Sequence, residues 1–317
     1  FTSSKIILKK LEGKLGKGHF TLTGDLYNYM SLIIPNANMI KGDLNLYCDT
    51  LDLNPWMATT TVQKGTTDTT HTITTVFEVP RNVEFVFDSD MDVILYEDMV
   101  IRKMQGDIKI ADGILTLKET GFNSLNALFN ISCDYNTQDV KHPLFDMDID
   151  IKELDINKAY KEIKLVRDLA PAMADTYGIF SITYQLKGGL NKQMEVKTET
   201  LAGGGELRIA DAKVNGMKMF EEISKSAKKK EINDPHLKDL VIKSTIKDNK
   251  LKVEPFQMQI SGFNAEIEGI SNIQGAGTIS YLVKLELLND KIKIPFHVTG
   301  TYDNPKVAVG KGHEDPQ

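Results

Sequence analysis

Tryptophan occurs once in this chain and cysteine twice, and no run of about 20 apolar residues is present. Each shortage excludes something. A sugar-binding platform wants more aromatic planes than the 8% found here, mostly Phe and Tyr in alternating runs. Two cysteines are too few for a disulfide scaffold or for a zinc site of their own. Without a long apolar run, no segment reads as a membrane-spanning helix. Positive charge is also short. Thirty-eight Lys and Arg face 44 Asp and Glu, a formal charge of −6, which argues against a nucleic-acid surface. The one basic run, KSAKKK at 225–230, reads as a solvated helix end, with a membrane-surface or partner contact as the lesser reading.

Catalytic motifs are missing as well. None of the six histidines has a His or Cys at ligand spacing, and HExxH does not occur. DSDMD at 88–92 lacks the turn Gly and closing Glu of a calcium loop. There is no GxSxG elbow, Cys-His signature or kinase set. The sequence therefore assigns no catalytic, metal or cofactor residue, and the chain reads as a non-enzyme. It opens at Phe1 without a signal peptide and reads as a fragment whose targeting segment or anchor lies upstream.

What is abundant is period-two alternation. Val83, Phe85, Phe87, Met91, Val93 and Leu95 share a face, against Glu84, Asp88, Asp90 and Asp92. FDMDIDI at 145–151 alternates throughout, and so do the runs from Ile279 to Leu287 and from Ile292 to Val298. One dry and one wet face predict antiparallel strands. Cys48 and Cys133 fall on dry faces and read as small buried hydrophobes. The sequence leaves open whether they pair.

Two stretches have helical spacing. The first, about 155–177, has Asp155 as its N-cap, Gly178 as its stop and Pro171 as a break; the second is about 216–229. The Thr-rich stretch 58–75 has no apolar face and reads as a mobile loop.

A hairpin unit repeats. IADGILTL (110–117) aligns with IKDNKLKV (246–253), placing Asp112-Gly113 over Asp248-Asn249, both turn chemistry. GFN recurs at 121–123 and 262–264. GDLNL (42–46), GDIKI (106–110) and GELRI (205–209) read as repeated strand openings. The triple glycine 203–205 precedes a strand rather than a helix, so it reads as a bend or close approach and not as a phosphate loop. The fold expected is mainly β (α+β): a curved, largely antiparallel sheet of repeated hairpins, forming an open groove or flattened barrel, with two short helical segments. It is read as one elongated domain over 1–317, with repeats at about 83–150 and 237–309.

Four segments carry a family resemblance. They are LAGGGELRIADAKVNGM (201–217) with MFEEI after it, HLKDLVIKSTIKDNKLKVEPFQMQISG (236–262), IPFHVTGTYDNPKVAV (294–309), and the stretch 79–117. In order and spacing they resemble the C-terminal region of the AsmA family as found in Bacteroidota. The resemblance spans roughly 20–310 and leaves the Thr-rich stretch outside. It implies a Gram-negative envelope protein in the periplasm, anchored in the inner membrane by an upstream helix and involved in outer-membrane biogenesis. Larger relatives form β-grooves thought to carry phospholipid, and the family supplies no catalytic residues. On this reading the partners are phospholipid or another envelope lipid, the membrane and envelope assembly proteins, and not nucleic acid. The second reading is a scaffold or chaperone-like factor that contacts outer-membrane proteins through exposed strand edges. A third is a module acting on envelope polysaccharide, which would show a polar cleft with converging acids.

A lipid groove would be lined by Val83, Phe85, Phe87, Val93, Phe129, Ile131, Phe145, Met147, Ile149, Tyr281, Val283, Leu285, Phe296 and Val298, all on predicted dry faces. Each of these also fits ordinary core packing.

Overall fold

In a computed structural model, the described residues are 5–32, 39–57, 60–61, 72–73, 76–274, 277–287 and 292–310. The chain is mainly strand. It opens with β1 (Lys5–Leu15), β2 (Gly18–Tyr27) and β3 (Ile40–Asp52), then a single helical turn α1 (Asn54–Met57) and the two-residue strands β4 (Thr60–Thr61) and β5 (Thr72–Ile73). β6 (Val83–Tyr96), β7 (Met99–Ala111), β8 (Ile114–Ser124), β9 (Ala127–Asn136) and β10 (Leu144–Asp155) follow. Next come helices α2 (Ile156–Glu162) and α3 (Lys164–Leu169), strands β11 (Thr176–Gly189) and β12 (Ala202–Val214), and helix α4 (Lys218–Ala227). The chain closes with β13 (His236–Lys247), β14 (Lys250–Ile260), β15 (Phe263–Asn272), β16 (Thr278–Leu287), β17 (Ile292–Thr301) and β18 (Asn304–Val309).

Sixteen strands form one sheet in chain order, with β4 and β5 paired separately. Among the described residues β1 and β18 each have a single strand neighbour, so the sheet is unclosed and the flattened-barrel alternative does not apply. By contacts the chain divides into two compact units, 1–149 with 187–197 and 150–186 with 198–317.

The turns follow the local chemistry. Asp112 and Gly113 both have positive φ between β7 and β8, and Asp248 and Asn249 do the same between β13 and β14. Two consecutive left-handed residues match the right-handed twist of the flanking strands, which is why short polar residues or glycine occupy them. Leu125-Asn126 adopts the same geometry between β8 and β9 without the usual turn residue at its first position. The two GFN copies are not equivalent. Gly121 pairs with Asn130 inside β8, whereas Gly262 lies in the turn after β14.

The step from β3 to β6 departs from antiparallel order. β3 pairs with β6 in parallel, Ile40 opposite Val83 and Cys48 opposite Met91. Parallel neighbours need a crossover, and residues 53–82 supply it. The Thr-rich stretch belongs to this crossover and, apart from 60–61 and 72–73, lies outside the described residues.

The first helical stretch is three short pieces. Asp155 does cap it, its Oδ1 accepting from the Lys158 N–H at 2.8 Å. Ile163 is extended and separates α2 from α3, and Pro171 opens a 3₁₀ turn, Pro171–Asp175. Proline offers no N–H to continue the α-ladder. The chain enters β11 at Thr176, so Gly178 is a strand residue and not the helix stop expected of it. α4 is a single amphipathic helix with Phe220 and Ile223 buried, packed against β18.

The glycines of the Gly-acidic pattern do not open strands. Gly42, Gly106 and Gly205 all sit inside theirs. The triple glycine is explained by its neighbour. A Cβ on Gly203 would lie 2.1 Å from the Gln185 carbonyl oxygen, and one on Gly205 would lie 2.2 Å from that of Thr183. Neither residue has positive φ. The requirement is therefore room for the β11 backbone, which is one of the uses of glycine within a sheet.

Candidate apolar binding face

In the first unit, register places side chains in rows across the sheet. Leu26, Gly42, Phe85, Ile110, Leu115 and Tyr135 follow one another from β2 to β9. The next row is Gly24, Leu44, Phe87, Ile108, Leu117 and Cys133. A third contains Leu22, Leu46, Ser89 and Gly106, then Thr120 and Ile131 beyond a bulge in β8. The fourth holds Phe20, Cys48, Met91 and Met104, with Phe122 stacked on Phe129 at a centroid distance of 5.0 Å. Because alternate residues face the same way, each row comes from one dry side. The four rows make a continuous apolar face with a low strip of Ser89, Gly106 and Thr120 across it.

The fourth row belongs to a buried cluster of the unit. Cys48, Met91, Ile94 and Met104 are buried together, with Phe20, Leu46, Ile101 and Phe122 against them. Ile94, not Val93, continues this cluster, so the alternation changes phase after Met91. The first two rows are more open. Leu44 is buried in the second of them, but Phe85, Phe87, Ile108, Ile110, Leu115 and Leu117 are only half-buried. The tilted Phe85 and Phe87 rings, 5.9 Å apart, stand at the centre of this open part.

The residues expected to line a groove fall into three sets. Val83, Phe85, Phe87, Ile131, Met147 and Ile149 are half-buried in the first unit, as is the off-phase Val93. Phe129 and Phe145, in the same unit, are buried. Val283, Leu285, Phe296 and Val298, in the second unit, are sealed at 1% exposure or less. These four belong to the second unit's core. Tyr281 lies in that unit too. Its ring fills the space over Gly269, where a Cβ would come within 2.3 Å of it. Its hydroxyl meets Ser271 Oγ at 2.8 Å, Ser271 Oγ meets the Tyr302 hydroxyl at 2.7 Å, and burial raises its pKa. That is a structural role. Sequence reading missed Ile108, Ile110, Leu115 and Leu117, although GDIKI and IADGILTL carry the alternation that contains them.

Both cysteines are free thiols. Burial pushes Cys133 up to about 11 and raises Cys48 as well, so neither is an activated nucleophile. Among the described residues, no group of three or more His, Cys, Asp and Glu is placed to hold a metal.

The second unit has a polar depression lined by Lys238, Asp239, Gln257, Gln259, Glu266, Lys284, Glu286 and Lys293. Its glutamates are tied. Lys284 lies 2.6 Å from Glu266 and holds it below the ordinary carboxylate range. Glu286 is lowered by the Asn264 amide at 2.9 Å and by Lys293 at 3.2 Å. A general acid needs a shift the other way, so these two carboxyls are not poised for acid catalysis.

Three exposed His–Asp pairs complete the electrostatics. Asp49 is lowered chiefly by the His19 backbone N–H at 2.8 Å. The His142 ring at 2.8 Å lowers Asp139, and the His236 ring at 2.9 Å lowers Asp211. A carboxyl with a depressed folded pKa stabilises the fold above its ordinary value, about 3.9 for Asp. That contribution disappears as pH falls through the lowered value. Thermal melts should therefore show these groups contributing no loss between about pH 8 and pH 5, and a progressive loss below about pH 4. A melting temperature falling steadily from pH 7 to pH 5 would contradict this assignment.

Among the described residues, no helix is long and apolar enough to cross a membrane. No family model, curated protein or solved structure matches this chain.

Proposed function

We propose that this chain is a noncatalytic envelope protein of the AsmA type that binds or guides lipid along the apolar face of its first unit. One observation carries the reading. Phe85, Phe87, Ile108, Ile110, Leu115 and Leu117 form adjoining apolar rows left half-open, whereas Val283, Leu285, Phe296 and Val298 in the second unit are sealed. An open apolar face in water calls for something to cover it. Each methylene of an acyl chain gains about 0.8 kcal/mol on burial, without needing a polar anchor. That suits a face with no polar motif. The periplasmic setting, the upstream anchor and the part in outer-membrane biogenesis rest on the family resemblance alone.

The test is native mass spectrometry with organic extraction, on protein purified from cells in mild buffer. Phospholipid bound in near-stoichiometric amount is the expected result. A lipid-free, monodisperse protein would remove the reading.

A further inference from the structure

The sheet parts inside the second unit. The ladder between β13 and β14 runs only from Lys247–Lys250 to Ser244–Val253. Just beyond it, Pro255 offers no N–H, and β14 bulges against β15 between Val253 and Phe256. From there β13 stays with β12 as far as His236, opposite Lys213, and β14 stays with β15 as far as Ile260, opposite Phe263. The far end of the opening is tied, because the Ser261 hydroxyl donates to the Glu231 carbonyl.

The polar depression, about 370 Å³ in volume, spans this opening, with Lys238 and Asp239 on one bank and Gln257 and Gln259 on the other. That volume is within the range of small-molecule sites. Much of the lining is already engaged. Gln259 donates to Asn264 at 3.4 Å and Asn264 to Glu286 at 2.9 Å, while Lys293 and Lys284 hold Glu286 and Glu266. The side chains of Lys238, Asp239 and Gln257 make no hydrogen bond or ion pair among the described residues. Asp239 has a φ of 49° in the middle of a strand. This left-handed residue puts Lys238 and Asp239, two in succession, on the exposed side between buried Leu237 and Leu240. Such a backbone is costly inside a strand, and such costs gather at binding sites.

Charge selects the ligand. The lining sets Lys238, Lys284 and Lys293 against Asp239, Glu266 and Glu286 and is neutral overall. A simple anion would meet three carboxylates, and a simple cation three ammonium groups. No aromatic ring is among the described residues that line it, so an uncharged sugar has no plane to stack on.

We propose that this opening binds a small zwitterion, an ammonium and an acid group a few bonds apart, with Lys238 meeting the acid, Asp239 the ammonium and the Gln257 amide beside them. The site belongs to the second unit and does not depend on the lipid reading.

Calorimetric titration of the intact chain with glycine and with phosphoethanolamine tests this, against phosphate, ethanolamine and glucose as controls. At least one zwitterion should bind about tenfold more tightly than every control. Capture of phosphatidylethanolamine vesicles, competed by free phosphoethanolamine, would assign the ligand to a lipid headgroup; a bound free zwitterion without vesicle capture would assign it to a soluble molecule. Lys238→Gln and Asp239→Asn change exposed side chains, and asparagine tolerates the left-handed backbone as aspartate does. Circular dichroism should confirm that both variants fold, and each should weaken the zwitterion about tenfold. Three results would each overturn the proposal: no binding of either zwitterion, equal binding of phosphate, ethanolamine or glucose, or full affinity in either variant.

Discussion

Replacing Gly205 by alanine should cost this protein more stability than the same change at Gly204, although the two are neighbours in one strand. A Cβ on Gly205 would stand 2.2 Å from the Thr183 carbonyl oxygen and 2.7 Å from Tyr184 Cα. Backbone atoms of a paired strand cannot step aside without disturbing the ladder. On Gly204 the nearest atom is the Ser244 carbonyl oxygen at 3.1 Å, followed by the movable Thr245 methyl at 3.3 Å. Forcing atoms into a packed interior costs about 1–3 kcal/mol, and more where the backbone must move. We expect Gly205→Ala and Gly203→Ala to lose about 3 kcal/mol or more, and Gly204→Ala about 1 kcal/mol or less. Urea denaturation of the three variants measures this. Equal costs at all three positions would point to a general loss of flexibility. A phosphate-cradling loop would show something else again: a phosphate-dependent melting temperature abolished by these changes.

Val283→Asp should prevent folding, whereas Phe87→Asp should leave a folded chain without bound lipid. Val283 is wholly buried, opposite Ile267 on one side and Phe296 on the other, both of which are buried. A carboxylate there has no water and no cation. The desolvation cost of an unpaired buried charge is several kcal/mol, comparable to the whole stability of an ordinary domain. Phe87 is half-buried between Leu44 and Ile108. An aspartate at that position keeps access to water, so the fold should lose about 1–2 kcal/mol. The open rows then carry a charge that an acyl chain cannot lie against. Circular dichroism and lipid extraction on both variants separate the cases. If Phe87→Asp unfolds as Val283→Asp does, the first-unit face is core and the lipid reading falls. If it folds and retains its lipid, the lipid lies elsewhere.

The strands, the wet and dry faces and the two hairpin turns at Asp112-Gly113 and Asp248-Asn249 were legible in the sequence. All of them are consequences of short-range geometry: the two-residue pleat and the tolerance of Asp, Asn and Gly for positive φ. So was the Asp155 cap, one side chain answering one nearby N–H. The place of the triple glycine was legible only in part, since its reason is the backbone of β11, some twenty residues earlier in the chain.

The parallel step from β3 to β6 was not legible, because antiparallel and parallel neighbours present the same alternation and differ only in how the chain returns. Bulges were also hidden. One extra residue moves every later side chain to the other face, as between Leu8 and Leu11 of β1 and between Leu117 and Thr120 of β8; Ile94 joins Met91 in place of Val93 although β6 keeps an unbroken register with β3 and β7. Above all, alternation assigns a residue to a side without saying what lies over that side. Phe87 and Val283 read alike as residues in a dry row. The first is left half-open and the second is closed completely. The sequence by itself determined which side chains turn away from water within each strand; only the tertiary structure decided which of those sides are covered, because cover depends on segments far along the chain.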